Sequence, residues 1–274
     1  MIIIGIIAII AAIVLFVWYS RSKTRLEEIS SVETSTLGSL QEICRGVAEE
    51  IGSGSFDQKV EVKGIIECDQ PLESELAKEP CVHYTMTVQR KWEEDYEETY
   101  TEKDSQTGEM VQKTRQGTRQ GSDTVSRNAR STTFTVRDDT GTILVDPDGA
   151  EIDTEQVVDR FEPQTAVSGG KISFGSFSFS LGNMAPDTGR RRTLGYHFRE
   201  HILPLQRPVY ILGAASDRSG QLMVQKPSES GKYLISLKSE EELVASAKTG
   251  MTWGLYGAIA CGILGILFII LHFI

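Results

Sequence analysis

The sequence predicts a mainly β fold: a small antiparallel barrel with a long hairpin insertion, flanked by helices and by two transmembrane helices. Three observations carry this expectation. Both ends of the 274-residue chain are uncharged apolar runs. Between Lys59 and Lys238 lies a succession of short β-rich runs separated by Gly, Asp and Pro, the pattern of strands joined by tight turns. Within it, residues 92–130 are polar, with an acidic first arm and a basic second arm.

Residues 1–19 carry no charge, and residues 252–274 carry no Lys, Arg, Asp or Glu. A helix needs about 20 apolar residues to cross the hydrocarbon core, so each run is read as a span. A cleaved signal peptide would need a basic segment before the apolar run and a small-residue site after it. Here Arg21, Lys23 and Arg25 follow instead. Lys238 and Lys248 precede the second run. Basic residues near a span favour the cytoplasmic side. The expectation is a two-pass protein of the plasma membrane (an organellar membrane in a eukaryote), with the central domain cytoplasmic and both termini outside. Trp18, Tyr19, Trp253 and Tyr256 would form one aromatic belt at the same interface. The small residues Gly254, Ala258 and Gly262, with Gly257, Cys261 and Gly265 beside them, allow close helix approach, as do Gly5, Ala8 and Ala12. They lead to the expectation that the spans pack on each other or on other copies, the latter making a homo-oligomer.

Residues 24–52 read as an amphipathic helical segment. Leu37, Leu40, Ile43, Cys44, Val47, Ala48 and Ile51 recur at three- and four-residue spacing, and Gly52-Ser53-Gly54-Ser55 ends the pattern. A β domain is expected over residues 57–238. Its runs are KVEVKGIIEC, CVHYTMTVQRKW, STTFTVRDD, TGTILVD, RPVYILGAA, GQLMVQK and KYLISLK, with turns at DDTGT and DPDG. Many short strands at close spacing argue for a small antiparallel barrel, OB-like or related. Residues 92–130 are read as an extended hairpin insertion turning at Asp104–Gly108, its arms attracted by cross-strand charge. Residues 161–193, rich in Gly, Ser and Phe, are read as a loop insertion, with Phe177, Phe179 and Leu181 alternating on one strand. Residues 239–250 form a helix leading into the second span (252–274), with Ser239 as cap and Glu242 completing a capping box.

Several phrases then match a known pattern. They are VEVKGIIECDQPLESELAKEPCVHYTMTV, FTVRDDTGTILVDPDGAE and LGYHFREHILPLQRPVYILGAA. Together they resemble the GIDE-type domain, also called the BAM (beside-a-membrane) domain, of two-span mitochondrial and chloroplast E3 ubiquitin ligases. The resemblance runs through most of residues 35–225. It is carried by Gly64, Pro71-Leu72, Pro80-Cys81, Asp139 and Gly141, Val145-Asp146-Pro147, Gly149-Ala150, Gly195-Tyr196, Glu200 and Leu203-Pro204. In those ligases a RING follows the second span and recruits the charged E2 enzyme. Here the sequence reaches Ile274 with no zinc-ligand set. The resemblance therefore implies the membrane-anchored module without the part that transfers ubiquitin. RING-less versions of this architecture resemble prokaryotic proteins.

Chemistry-bearing residues are few. With 28 basic and 38 acidic residues, the net charge is −10. That balance argues against nucleic acid, which needs a basic face to displace counterions. The four cysteines form no C-x-x-C pair, which excludes a zinc ribbon, finger or RING of the usual kind. His197-Phe-Arg-Glu200-His201 spells the inverted zinc-protease motif, which requires both histidines on one face of a stable helix. The plainer reading is a short turn or helix closing the barrel, with Glu200 bonded to nearby backbone. Cys81 beside His83 would suit a thiol nucleophile, set against a structural reading. Asp138, Asp139, Asp146, Asp148 and Asp153 lack the spacing of a calcium loop and read as turn residues. The expectation is no catalytic residue, no cofactor and no metal. The expected role is protein interaction or scaffolding at the bilayer, with an unknown membrane or cytoplasmic partner. Alternatives are a subunit of a ubiquitin-like ligase system and a zinc or cysteine hydrolase.

Overall fold

The computed structural model describes residues 2–103, 109–166, 171–175, 177–180, 189–228 and 231–273. Two helices come first, α1 (Ile2–Ser30) and α2 (Leu37–Glu50). The strands follow: β1 (Asp57–Glu67), β2 (Leu72–Glu73), β3 (Pro80–Lys103), β4 (Met110–Ser131), β5 (Phe134–Arg137), β6 (Thr142–Val145), β7 (Glu151–Ile152), β8 (Glu155–Pro163), β9 (Lys171–Phe174), β10 (Phe177–Ser180), β11 (Arg191–Pro204), β12 (Pro208–Ser216), β13 (Met223–Gln225) and β14 (Leu234–Ser236). The chain ends in α3 (Glu240–Phe273). Where the sequence suggested one β domain, these elements form two compact units. The first is Met1–Asp69, Thr133–Asp153 and Leu205–Ile274; the second is Gln70–Thr132 and Thr154–Pro204.

The first unit is built on a closed barrel of five strands. β1 pairs with β5, β5 with β6, β6 with β13, β13 with β12, and β12 returns to β1. All these pairings are antiparallel except β6–β13. Counting only barrel strands in chain order, the ring runs first, second, third, fifth, fourth. That is the Greek-key order of an OB-like barrel. Period-two alternation fills the interior from β5 (Phe134, Val136) and β6 (Ile143, Val145). β12 does not alternate, because both its faces are buried. Val209 and Ile211 alternate with Tyr210 and Leu212, and the latter pair packs with Ile29, Leu234 and Leu243. The end of α1 and the start of α3 are thus seated on the barrel strand β12.

α1 and α3 are long and apolar enough to cross a membrane by length and composition. They pack on each other through small residues. A side chain on Gly5 would place Cβ 3.0 Å from the Gly265 carbonyl oxygen, and one on Gly254 would lie 2.9 Å from the backbone nitrogen of Tyr19. Gly262 has open space around it. The outward residues Ile7, Ile10, Phe16, Ile259, Ile263 and Leu267 are exposed.

Two helix boundaries differ from the sequence reading. α1 runs on to Ser30, since residues 20–30 hold no Gly or Pro and Lys23 pairs with Glu27 one turn on, so the amphipathic helix begins only at Leu37. Thr36 caps it by accepting from the Ser39 N–H. α3 is continuous through Gly250, where the Ser22 hydroxyl would lie 2.7 Å from an added Cβ. The expected capping box is present. Glu242 N–H donates to Ser239 Oγ at 3.3 Å, and Ser239 N–H donates to Glu242 Oε2 at 3.0 Å.

The second unit holds a five-stranded sheet in the order β2-β3-β11-β8, with β4 on β3, and the separate pair β9–β10. The hairpin reaches deeper than residues 92–130, because β3 starts at Pro80 and His83 already pairs with Ser131. Its core holds Leu76, Tyr84, Met86, Val88, Tyr196, Phe198 and Ile202. Phe177 meets Phe198 edge-on at 6.5 Å. Phe177 and Phe179 share one strand, β10, which pairs with β9 as a hairpin. β9 and β10 join at Gly175, whose φ is +56°, while Leu181 lies outside the described residues, as does the Asp104–Gly108 turn.

Beyond Asp95, β3 and β4 pair with each other alone as a two-stranded ribbon. One face of the β3–β4 pair, running into the ribbon, alternates aromatic and acidic residues on β3, facing glycine and basic residues on β4: Trp92 opposite Gly121, Glu94 opposite Arg119, Tyr96 opposite Gly117 and Glu98 opposite Arg115. The rings lie across the glycines, so a Cβ on Gly117 would sit 2.8 Å from Tyr96 Cζ. Arg119 pairs with Glu94 at 2.6 Å and Lys113 with Glu102 at 2.9 Å. The Arg191 guanidinium lies 4.0 Å over the Trp92 ring.

Candidate functional site

In β11, Tyr196, Phe198, Glu200 and Ile202 face the core, whereas His197, Arg199 and His201 are only partly buried. Glu200 is therefore part of a strand and not of a turn or short helix. Its carboxyl group is fully buried and accepts from the Leu76 N–H at 2.9 Å and the Ala77 N–H at 2.7 Å. Both oxygens act as acceptors and so pin the segment that leads into β3. His197 hydrogen-bonds Asp159 through Nε2. That bond, with one from Gln156, holds the Asp159 carboxyl below its usual range. The two histidines and Glu200 thus occupy opposite faces of a strand, whereas the zinc-protease motif needs one face of a helix. Among the described residues, no three His, Cys, Asp or Glu side chains are grouped to hold a metal ion.

Cys81 and His83 do not form a nucleophilic pair. The pairing of Leu203 with His83 and of Pro204 with Cys81 leaves Val82 as an irregularity between them. Cys81 points into the core, and His83 meets Ser131 Oγ at 2.8 Å. Burial, with the Glu200 and Glu79 carboxylates adding to it, pushes the Cys81 thiol up to about 11. A reactive thiol needs the opposite shift.

The acidic turns organise the first unit. Asp138 accepts from the backbone N–H groups of Leu37, Thr140 and Gly141 at 2.9, 2.7 and 2.9 Å, and Thr140 Oγ1 accepts from the Gly38 N–H. Desolvation works against the charged form of Asp138. The N–H groups and the Thr140 hydroxyl outweigh it and hold the carboxyl below its usual range. The N-terminus of α2 is thereby docked on the β5–β6 turn. The resemblance pointed to Asp139 and Gly141. Asp139 is exposed, and the residue that makes the bonds is Asp138. Its D-D-T-G context marks an Asx turn, the available signal for that role.

Asp146 Oδ1 accepts from the Asp148 N–H at 3.1 Å, and the Pro147 carbonyl accepts from the Ala150 N–H at 3.1 Å. Gly149 follows with φ +77°, where a side chain would also meet Lys226 Cδ at 2.9 Å. Two glycines sit where backbones nearly touch. A Cβ on Gly64 would lie 2.5 Å from the Arg137 carbonyl oxygen, and one on Gly195 would lie 2.3 Å from that of Glu162. Tyr196 fills the core of the second unit, Pro204 ends β11, and Pro71 is exposed just before β2.

Where β1, β12 and α3 meet, a buried polar cluster forms that sequence reading missed. Glu61 is almost completely buried. It accepts from the Tyr210 hydroxyl at 2.8 Å and the Thr34 hydroxyl at 2.5 Å, and Lys63 Nζ lies 3.3 Å away. Lys63 also reaches Glu240, in the first turn of α3, at 2.7 Å. Desolvation pulls the Lys63 pKa down, but the two carboxylates raise it overall. Burial, then the Glu61 carboxylate, pushes the Tyr210 hydroxyl far up. The only sequence signal was Glu61 between Val60 and Val62 in an apolar strand.

A family model, GIDE, described as E3 ubiquitin ligase, matches residues 102–271. The match covers more than half of the chain, and the chain belongs to the GIDE family. It is thereby related to E3 ubiquitin ligases. No curated protein and no solved structure matches it.

Proposed function

We propose that α1 and α3 anchor this GIDE-family chain in the plasma membrane as a two-pass protein, and that it serves there as a protein-interaction or scaffolding module. The barrel lies in the cytoplasm and both termini lie outside. The observation that supports anchoring is the bare apolar surface of two helices that already pack on each other through small residues. Two such long apolar faces left to water would be costly at roughly 25 cal/mol per Å2. Arg21, Lys23 and Arg25 favour the cytoplasmic side for the barrel and suit a prokaryotic plasma membrane.

What supports the scaffolding reading is what the side chains do. Glu200, Asp138 and the family glycines are all spent on backbone geometry, and Cys81 is an inert core thiol. The family match favours one further reading: a subunit of a ubiquitin-like ligase system whose catalytic part is another chain. Crosslinking and mass spectrometry of native membranes test both. Scaffolding predicts reproducible crosslinks from residues 57–238 to particular proteins. Crosslinks to a ubiquitin-like carrier would favour the ligase reading, and crosslinks to lipid alone would contradict both.

A further inference from the structure

A cleft of about 610 Å3 opens on the first unit beside the start of α3. Ile65, Pro208 and Leu237 give it apolar lining, beside the almost completely buried Val209. Asp138, Asp139, Glu240, Glu241 and Glu242 also line it. Three cations also line it, and each is matched by a carboxylate. Lys63 pairs with Glu240 at 2.7 Å, Arg137 with Glu67 at 2.7 Å and Lys238 with Asp153 at 3.2 Å. Glu67 and Asp153 are not part of the lining. The cations are thus neutralised partly from outside the cleft, Asp138 and Glu242 are committed to N–H groups at the starts of α2 and α3, and Asp139 and Glu241 leave it with a net negative field. Low-dielectric walls concentrate such a field on a cationic guest.

We propose that this cleft binds the Lys- and Arg-rich segment that flanks a membrane span of another protein. The guest must be cationic to answer the acidic lining and partly apolar to cover the apolar lining. The place narrows the choice further. Glu242 precedes Thr252, where the uncharged run begins, by ten residues of continuous helix, and at 1.5 Å per residue that is about 15 Å. Cytoplasmic segments within that distance of a bilayer are where membrane proteins concentrate Lys and Arg beside apolar residues. Anionic lipid headgroups are repelled by the same acidic lining. The proposal rests on the membrane anchoring argued above and gives the scaffold a class of partner.

The test uses the full chain in detergent and a fluorescent amphipathic peptide rich in Lys and Arg, followed by polarisation, with a counterpart in which Glu replaces the basic residues. The basic peptide should bind, and the acidic one should not. An Asp139→Asn/Glu241→Gln variant should bind roughly tenfold more weakly, a change of about 1.4 kcal/mol. A Glu98→Gln/Glu102→Gln variant, which removes equal charge from the ribbon, should bind like the parent. Equal binding by the cleft variant, or an equal loss in the ribbon variant, would overturn the proposal. Flotation of the same proteins with liposomes reads the anchoring separately. A chain that floats but ignores the basic peptide sinks the cleft proposal alone. A chain that fails to float sinks the anchoring on which it rests.

Discussion

Replacing Gly64 with valine should open the barrel. Gly64 lies where β1 begins to pair with β5 while still pairing with β12. An added Cβ would stand 2.5 Å from the Arg137 carbonyl oxygen and 2.6 Å from Val136 Cγ1. Neither can yield easily, since the first is backbone in a ladder and the second a fully buried side chain. Overpacking of this kind costs about 1–3 kcal/mol, and each ladder hydrogen bond that opens at Ile65 and Ile66 adds about 1. The expected loss is about 3–5 kcal/mol out of the roughly 5–15 that hold a domain folded. Hydrogen exchange on the full chain in detergent reads this by region. Amides of β1, β5 and β6 should exchange much faster, while those between β3 and β11 keep their protection. Unchanged barrel protection would mean that Gly64 is not the close contact described.

Glu200→Ala should show the reverse pattern. Truncation leaves the Leu76 and Ala77 N–H groups without an acceptor at a fully buried position, and a cavity where the carboxyl group stood. A buried donor left without an acceptor costs about 1–3 kcal/mol, so two of them give an expected destabilisation of about 2–6 kcal/mol. Glu200→Gln keeps one acceptor oxygen and should cost about half of that. Loss of protection should appear in β3, β8 and β11 and spare the barrel. If Glu200→Ala melted like the parent, the buried carboxyl group would not be what pins Leu76 and Ala77.

What the sequence made legible is local. Alternation in STTFTVRDD and TGTILVD, the DPDG turn and the Ser239 capping box all depend on residues within a few positions of each other. Gly64, Gly149 and Gly195 stood out through the family resemblance, and each proves to hold a close approach or a positive φ. What stayed hidden is long-range. Asp138 serves Leu37, and Glu200 serves Leu76 and Ala77, each across more than a hundred residues. The division into two units depends on β3 pairing with β11, which no local pattern announces. The strand around Glu200 did alternate, as Tyr196, Phe198 and Ile202, but an acid at an inward position reads as a turn until its partners are known. The match of aromatic residues to glycines along the ribbon likewise needs the register of β3 on β4.

The proposed membrane arrangement is two spans with everything between them on the cytoplasmic side. A reporter that is active only in the cytoplasm, inserted between Lys103 and Glu109, tests it against the same reporter fused after Ile274. The first fusion should be active and the second silent, as Arg21, Lys23 and Arg25 after one span and Lys248 before the other require. A silent insertion with an active C-terminal fusion would contradict the arrangement.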